Sequence, residues 1–208
     1  MSRRLRFLAA ALLPLLLAAC VPAPAVRLRG DASLMQAQLA REQALAHADQ
    51  WVLQGRLGVS DGKHGGSGSF SWTQHGDRYD FVLRAPITGK SFRLSGGPDG
   101  ALLEGLDGGP LRGPDAEALM RQALGWVVPL QNLRAWVLGL RADSGPAELR
   151  FGADRLPSQL QQDGWTVDYP AWDVARTPPL PQKVFAERAP YKVRLFIESW
   201  QFQPASAQ

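Results

Sequence analysis

From Trp51 onward, apolar residues fall at every second position. Trp51, Leu53, Gly55, Leu57 and Val59 alternate with Val52, Gln54, Arg56 and Gly58. A period of two places one set on each face of a pleated strand. The turn-rich cluster "SDGKHGGS", Ser60 to Ser67, follows, and then Phe70 and Trp72 resume the alternation. After a turn at Gly76-Asp77, Tyr79, Phe81 and Leu83 share a face. Phe92 and Leu94 do the same in "KSFRLSGG", before "GALLEGLDGG". Short alternating runs joined by Gly/Asp turns predict an antiparallel meander.

The period changes on either side of that meander. Asp31 or Ser33 can cap a helix over about 34–48, with Leu34, Ala37, Gln38, Arg41, Leu45 and Ala48 on a weakly apolar face. In the middle of the chain, Pro114 suits a first helical position, and Leu119, Met120 and Leu124 follow it. Pro129 opens a second helix with Leu130, Leu133, Trp136 and Val137 as a stripe. Gly125 and Gly139 stand where the two helices should stop. Strands return in "AELRF", "SQLQQ", "GWTVDYPAW", "KVFAER" and "YKVRLFIESW". "TPPLP", Thr177 to Pro181, is expected as a linker or a sheet edge, because proline has no ladder donor. The layout predicts an α+β fold: one antiparallel sheet with helices on one face.

The first twenty residues are a different kind of segment. Arg3, Arg4 and Arg6 precede an apolar run from Phe7 to Leu17 and then small residues, the pattern of a secretory signal. The run is too short for a bilayer's roughly 20-residue span, and Pro14 interrupts it. Cys20 is the only cysteine, so no internal disulfide can form. "VPAPAVRLRG", Val21 to Gly30, reads as a Pro/Ala-rich tether. The chain has 23 basic and 19 acidic residues, but three arginines lie in the signal, leaving 20 against 19. The high isoelectric point is therefore partly a property of the leader, and no basic patch in the sequence points to nucleic acid.

Catalytic constellations are scarce. His47, His64 and His75 form no H-E-x-x-H motif, and a single cysteine excludes zinc-type spacing. In "HGGSG", Ser67 lacks the second glycine of a nucleophile elbow, since Ser69 stands in its place. Gly89-Lys90-Ser91 resembles the end of a phosphate loop, but the required first glycine is Arg84 and strands flank the segment. No metal, cofactor or enzymatic activity is expected. Seven tryptophans remain, which can be plain core or the walls of a greasy cavity between sheet and helices.

The ordered set "WVLQGRLGV", "GSFSWTQHGDRYDFVLRAPITG", "LGWVVPLQNLRAWVLGL", "GWTVDYPAW" and "KVRLFIESW" resembles the LolB family of outer-membrane lipoprotein receptors, from about Trp51 to Phe202. Leu17-Ala18-Ala19-Cys20 resembles the bacterial lipobox. The resemblance implies an incomplete, curved antiparallel β-barrel with helices forming a lid over an apolar cavity. It divides the chain into a lipoprotein signal peptide over 1–19, a lipidated N-terminus and tether over 20–32, and a single lipoprotein-binding domain over 33–208. It implies a monomer, anchored in the outer membrane through Cys20 and facing the periplasm. Such a receptor accepts acylated lipoproteins from a LolA-like periplasmic carrier and delivers them to outer-membrane lipids without nucleotide. The family's Pro-Leu-Gly delivery turn corresponds here to Pro86, Ile87, Thr88 and Gly89, with Ile87 for the leucine and Thr88 as an added residue. Candidate acyl-cavity residues, chosen from the alternation and the helix stripe, are Trp72, Phe81, Leu83, Phe92, Leu94 and Trp136. A soluble LolA-like carrier, a structural envelope-assembly lipoprotein and an anchored hydrolase using Ser67 are the competing readings.

Overall fold

The computed structural model describes residues 26–85 and 89–202. The signal segment, Cys20 and the turn residues Pro86, Ile87 and Thr88 lie outside the described residues. Among the described residues twelve strands form one antiparallel sheet. All but the first come from the expected strand region, and the first, Leu28–Arg29, lies in the segment expected to be a tether, where it pairs with Phe151 and Arg150. In chain order the strands are β1 (Leu28–Arg29), β2 (Gln50–Ser60), β3 (Gly65–His75), β4 (Arg78–Arg84), β5 (Ser91–Gly97), β6 (Gly100–Glu104) and β7 (Leu111–Gly113). They continue with β8 (Ala147–Phe151), β9 (Pro157–Gln162), β10 (Trp165–Asp173), β11 (Leu180–Arg188) and β12 (Tyr191–Phe202). The spatial order is β1-β8-β9-β10-β11-β12-β2-β3-β4-β5-β6-β7. The C-terminal meander therefore joins the N-terminal one through β12 beside β2. The two ends of the sheet do not pair, so the barrel is incomplete.

The sheet curves where its ladders are irregular. The β12–β2 register shifts between Ile197 and Ser199, beside Gly55. A Cβ on Gly55 would lie 2.1 Å from the Phe196 carbonyl oxygen, so only glycine allows the strands to approach there. Further shifts occur in the β10–β11 pair around Ala171. Such irregularities bend strands and increase twist. The inward set is the one the alternation singled out: Leu53, Leu57, Phe70, Trp72, Leu83 and Leu94 are all buried.

Among the described residues three helices serve this sheet: α1 (Ala32–Leu45), α2 (Ala116–Leu124) and α3 (Leu130–Trp136). α1 is capped by the Asp31 carboxylate, which accepts from the Leu34 amide at 2.8 Å. It ends at Leu45, short of the expected Ala48, and buries Leu34, Gln38, Arg41 and Leu45 while Ala37 is exposed. Asp115, not Pro114, opens α2, because its side chain can accept from the Ala118 amide at 2.7 Å. Gly125 closes α2 in the left-handed conformation.

The proline segment behaves as an edge, although β11 is internal. Leu180 and Pro181 pair with Asp173 and Trp172 of β10. β12 joins β11 only from Lys183 onward, so no donor is missed on that side of Pro181. Every described strand and helix, and the buried hydrophobic core from Leu34 to Trp200, falls between Leu28 and Phe202.

Candidate lipid-binding cavity

The inner faces of six strands and the underside of two helices enclose an apolar cavity. Its sheet wall comprises Leu57 and Val59 of β2, Trp72 of β3, Phe81 and Leu83 of β4, Phe92 and Leu94 of β5 and Leu103 of β6, with Leu195 of β12 beside them. Its roof comprises Met120 and Leu124 of α2, Trp126 and Val128 of the connection, and Leu130 and Leu133 of α3. Every lining residue is of an apolar type. The free space is small, about 40 Å³, room for roughly three water-sized bodies.

The lid rests closely on the wall. A Cβ on Gly66 of β3 would meet the Trp126 ring at 2.8 Å, so the glycine lets the indole lie against the strand. Below it, Trp72 is held between Trp51 and Phe81, with ring centroids 5.1 and 5.9 Å away. Its indole N–H donates to Gln74 Oε1 at 3.0 Å, and Gln74 Nε2 donates to the Gly76 carbonyl at 2.7 Å. The polar edge of the ring is thus satisfied away from the cavity, leaving its apolar surface to form the wall.

A polar chamber of about 400 Å³ adjoins the cavity and shares Trp72 and Leu130 with it. Asp77, Tyr79, Asp115, Glu117, Gln131 and Arg134 line its sides. Arg134 of α3 donates to Asp77 of the β3–β4 turn at 2.9 Å, tying lid to sheet. Burial pushes the Glu117 carboxyl and the Tyr79 hydroxyl above their usual pKa ranges.

The other end of the lid is pinned by α1. Arg41 donates to the carbonyls of Leu138, Gly139 (2.8 Å) and Pro179 (3.0 Å), and its guanidinium lies 4.7 Å from the Trp172 ring centre. Burial lowers its pKa to about 10, so it is still a cation at neutral pH. Glu42, the next residue, accepts two hydrogen bonds from Arg141, at 2.9 and 2.6 Å.

Five of the six cavity candidates, Trp72, Phe81, Leu83, Phe92 and Leu94, come together on one wall. Trp136 does not join them. It is fully buried, donates to Gln162 Oε1 at 3.0 Å and packs on Trp165 with centroids 6.3 Å apart. It is a pillar under the C-terminal end of α3. Among the tryptophans, Trp72 and Trp126 line the cavity, whereas Trp51, Trp136, Trp165 and Trp200 are core. The roof residues Met120, Leu124, Leu130 and Leu133 were visible as helix stripes, but which stripe residues face a void depends on how the helices dock. Trp126 and Val128 carry no periodic signal, since they belong to a connection.

Two other sequence features have structural placements. Ser67 is exposed on β3 opposite Gly58, and His64 lies 3.4 Å from Asp61. Lys90 donates to Asp107 at 2.7 Å, and the Gly89 amide donates back to the Ala85 carbonyl, closing a strand-to-strand turn. No group of three or more potential metal ligands occurs among the described residues.

The chain is similar to known proteins in both sequence and fold. Residues 49–200 match the family described as outer membrane lipoprotein LolB. It is 41% identical to the outer-membrane lipoprotein LolB of Xanthomonas euvesicatoria, over 98% of this chain and 100% of the relative. The LolB of Xylella fastidiosa is 36% identical over 82% of this chain and 79% of its own. Among solved structures, a LolA superfamily protein from Nitrosomonas europaea has a TM-score of 0.51 at 11% identity, over 82% of this chain and 94% of its own. A DUF1329 family protein from Desulfovibrio piger has a TM-score of 0.52 at 8% identity, over 84% and 94%. The open sheet, the helical lid and the sequence match agree: the chain belongs to the LolB family of outer-membrane lipoproteins.

Proposed function

We propose that this protein is an outer-membrane lipoprotein receptor that takes acylated lipoproteins from a LolA-like periplasmic carrier and passes them into the membrane. The observation that carries the reading is the wholly apolar cavity between the curved sheet and the α2–α3 lid. Burying an acyl chain stabilises the bound state by about 0.8 kcal/mol per methylene. A pocket of this chemistry therefore competes with a carrier without nucleotide, and cargo moves down an affinity gradient. The polar chamber beside the cavity offers the cargo's polypeptide an exit while its acyl chains are buried.

The free space is far below what an acyl chain of a dozen or more methylenes occupies. Loading therefore requires α2 and α3 to move away from the sheet. The Asp77–Arg134 pair at the chamber and the Arg41 cluster at the far end set what that motion must break or pivot about.

Anchoring through Cys20 and orientation toward the periplasm complete the reading. In this picture Trp72, Phe81, Leu83, Phe92 and Leu94 contact the acyl chains, and the 86–89 turn delivers them. The test is a transfer assay with purified acylated lipoprotein held by its carrier. Appearance of cargo on this chain without added nucleotide is expected, and its retention on the carrier would overturn the proposal. Palmitate labelling that is lost in Cys20→Ser separates an anchored receptor from a soluble carrier.

A further inference from the structure

The outer face of the sheet is not the neutral, mixed surface that the nearly balanced charge of the chain past residue 20 suggests. One cross-strand row runs Arg84–Ser69–Arg56–Phe196–Lys183 over β4, β3, β2, β12 and β11. At about 4.8 Å per strand it is roughly 19 Å wide. In the next row, Arg194 stands opposite Phe185. The two phenyl rings meet edge to face at 5.3 Å and are only partly covered. Arg56, Lys183 and Arg194 lie 5.3–6.0 Å from their centres.

The cations of this region outnumber its carboxylates. Arg84 and Lys183 have no carboxylate partner among the described residues. Arg56 lies 3.2 Å from the well-exposed Glu198, and Lys192 and Arg194 share Glu187 at 3.6 Å each. With Arg27 and its partner Asp168, which stands opposite Phe185, six cations face three carboxylates. Farther along the same face the charges balance: Arg93 pairs with Asp80 and Arg78 with Asp99, and Glu104, opposite Arg93, offsets Arg112 of β7. The excess is local.

The chain enters the fold beside this patch. Val26 and Arg27 share a cleft with Asp168, Pro170 and Phe185, and Arg27 donates to Asp168 at 2.9 Å. From Cys20 to Val26 the backbone can span at most roughly 20 Å. A lipid on Cys20 therefore holds this face of the molecule close to the bilayer.

We propose that the outer face around Phe185 and Phe196 docks on a phospholipid surface carrying anionic phosphodiesters. The cations meet the headgroup phosphates, and the phenyl pair sits at the level where aromatic rings favour a bilayer interface. Docking sets the orientation of the tethered protein, with Arg84 bringing the base of the 85–90 turn to the same surface. The proposal rests on the membrane-anchored reading, but its test needs no anchor.

The chain from residue 26 onward, which contains every described strand and helix, is mixed with vesicles of phosphatidylcholine alone or with phosphatidylglycerol added. Sedimentation is expected to show at least roughly tenfold stronger partitioning onto the anionic vesicles, most of it lost in high salt. Arg56→Glu with Lys183→Glu should abolish that gain, whereas Arg78→Gln with Asp99→Asn should not. Equal partitioning onto both vesicles, or an unchanged gain in the charge-reversed variant, would overturn the proposal. So would absence of vesicle binding with retention on an acidic carrier protein, which would make the face a protein interface. Loss of palmitate labelling in the full chain would refute the anchor without touching this result.

Discussion

Gln162 offers a sharp test of how the lid is supported. Its amide accepts from the Trp136 indole at 3.0 Å and from the Ala142 amide at 2.9 Å, and donates to the carbonyls of Ala142 (2.6 Å) and Gly145 (3.0 Å). One buried side chain thus fastens α3 and the loop after it to β9. Gln162→Leu keeps much of the volume and removes all four bonds. The Trp136 N–H is in a buried environment and loses its acceptor outright, at a cost of about 1–3 kcal/mol. The other three groups are partly exposed, so water can replace Gln162 there, at about 0.5–1 kcal/mol each. Leucine recovers about 1 kcal/mol by burial. The net loss is about 1.5–5 kcal/mol, roughly 3–20 °C in Tm for a fold of this size. Urea unfolding followed by tryptophan fluorescence measures it. Trp136→Phe should cost less, because Gln162 keeps its Ala142 contacts, and should leave binding of a fluorescent fatty acid within about twofold of the parent. A loss under about 1 kcal/mol for Gln162→Leu, or strongly weakened acyl binding in a folded Trp136→Phe, would refute the assignment of Trp136 as a pillar.

Three further outcomes can be checked. Ile87→Glu should leave acceptance of acylated cargo largely intact while reducing its delivery to membranes, since a charge opposes entry of the turn into hydrocarbon; equal delivery by both forms in a reconstituted assay would remove Ile87 from that role. Gly66→Ala should displace the Trp126 ring, because the added methyl would sit 2.8 Å from it, costing about 1–2 kcal/mol and shifting the tryptophan emission to the red. Glu42 gives a pH test. It is partly buried, but hydrogen bonds from Arg141 and Gln38 outweigh that burial and hold its pKa below the usual carboxylate value. A lowered folded pKa means stability that is fully present above the unfolded pKa near 4.5 and lost as pH falls through the folded one. Glu42→Gln should therefore be less stable than the parent by about 1–2 kcal/mol at pH 7, with the gap closing as pH drops below about 4.5; a gap that persists at low pH would show that the ion pair is not its source.

Much of this protein was decided locally. Alternation alone assigned the inward face of β2 to β5, because a strand's period is two and only one face can meet the core. It likewise collected five of the six candidate lining residues, and the turn and cap residues Gly76, Asp31 and Gly125 punctuate the chain as their conformational preferences dictate. What the local pattern could not decide is whether an inward residue meets another side chain or a void. Trp72 and Trp136 carry the same local signal of a large apolar residue on a buried face. One lines the cavity and the other stands on Gln162, and only the docking of α2 and α3 onto the curved sheet separates them. The charged row on the outer face is likewise non-local. Arg84, Arg56 and Lys183 are scattered along the chain, and the antiparallel register of five strands brings them into line.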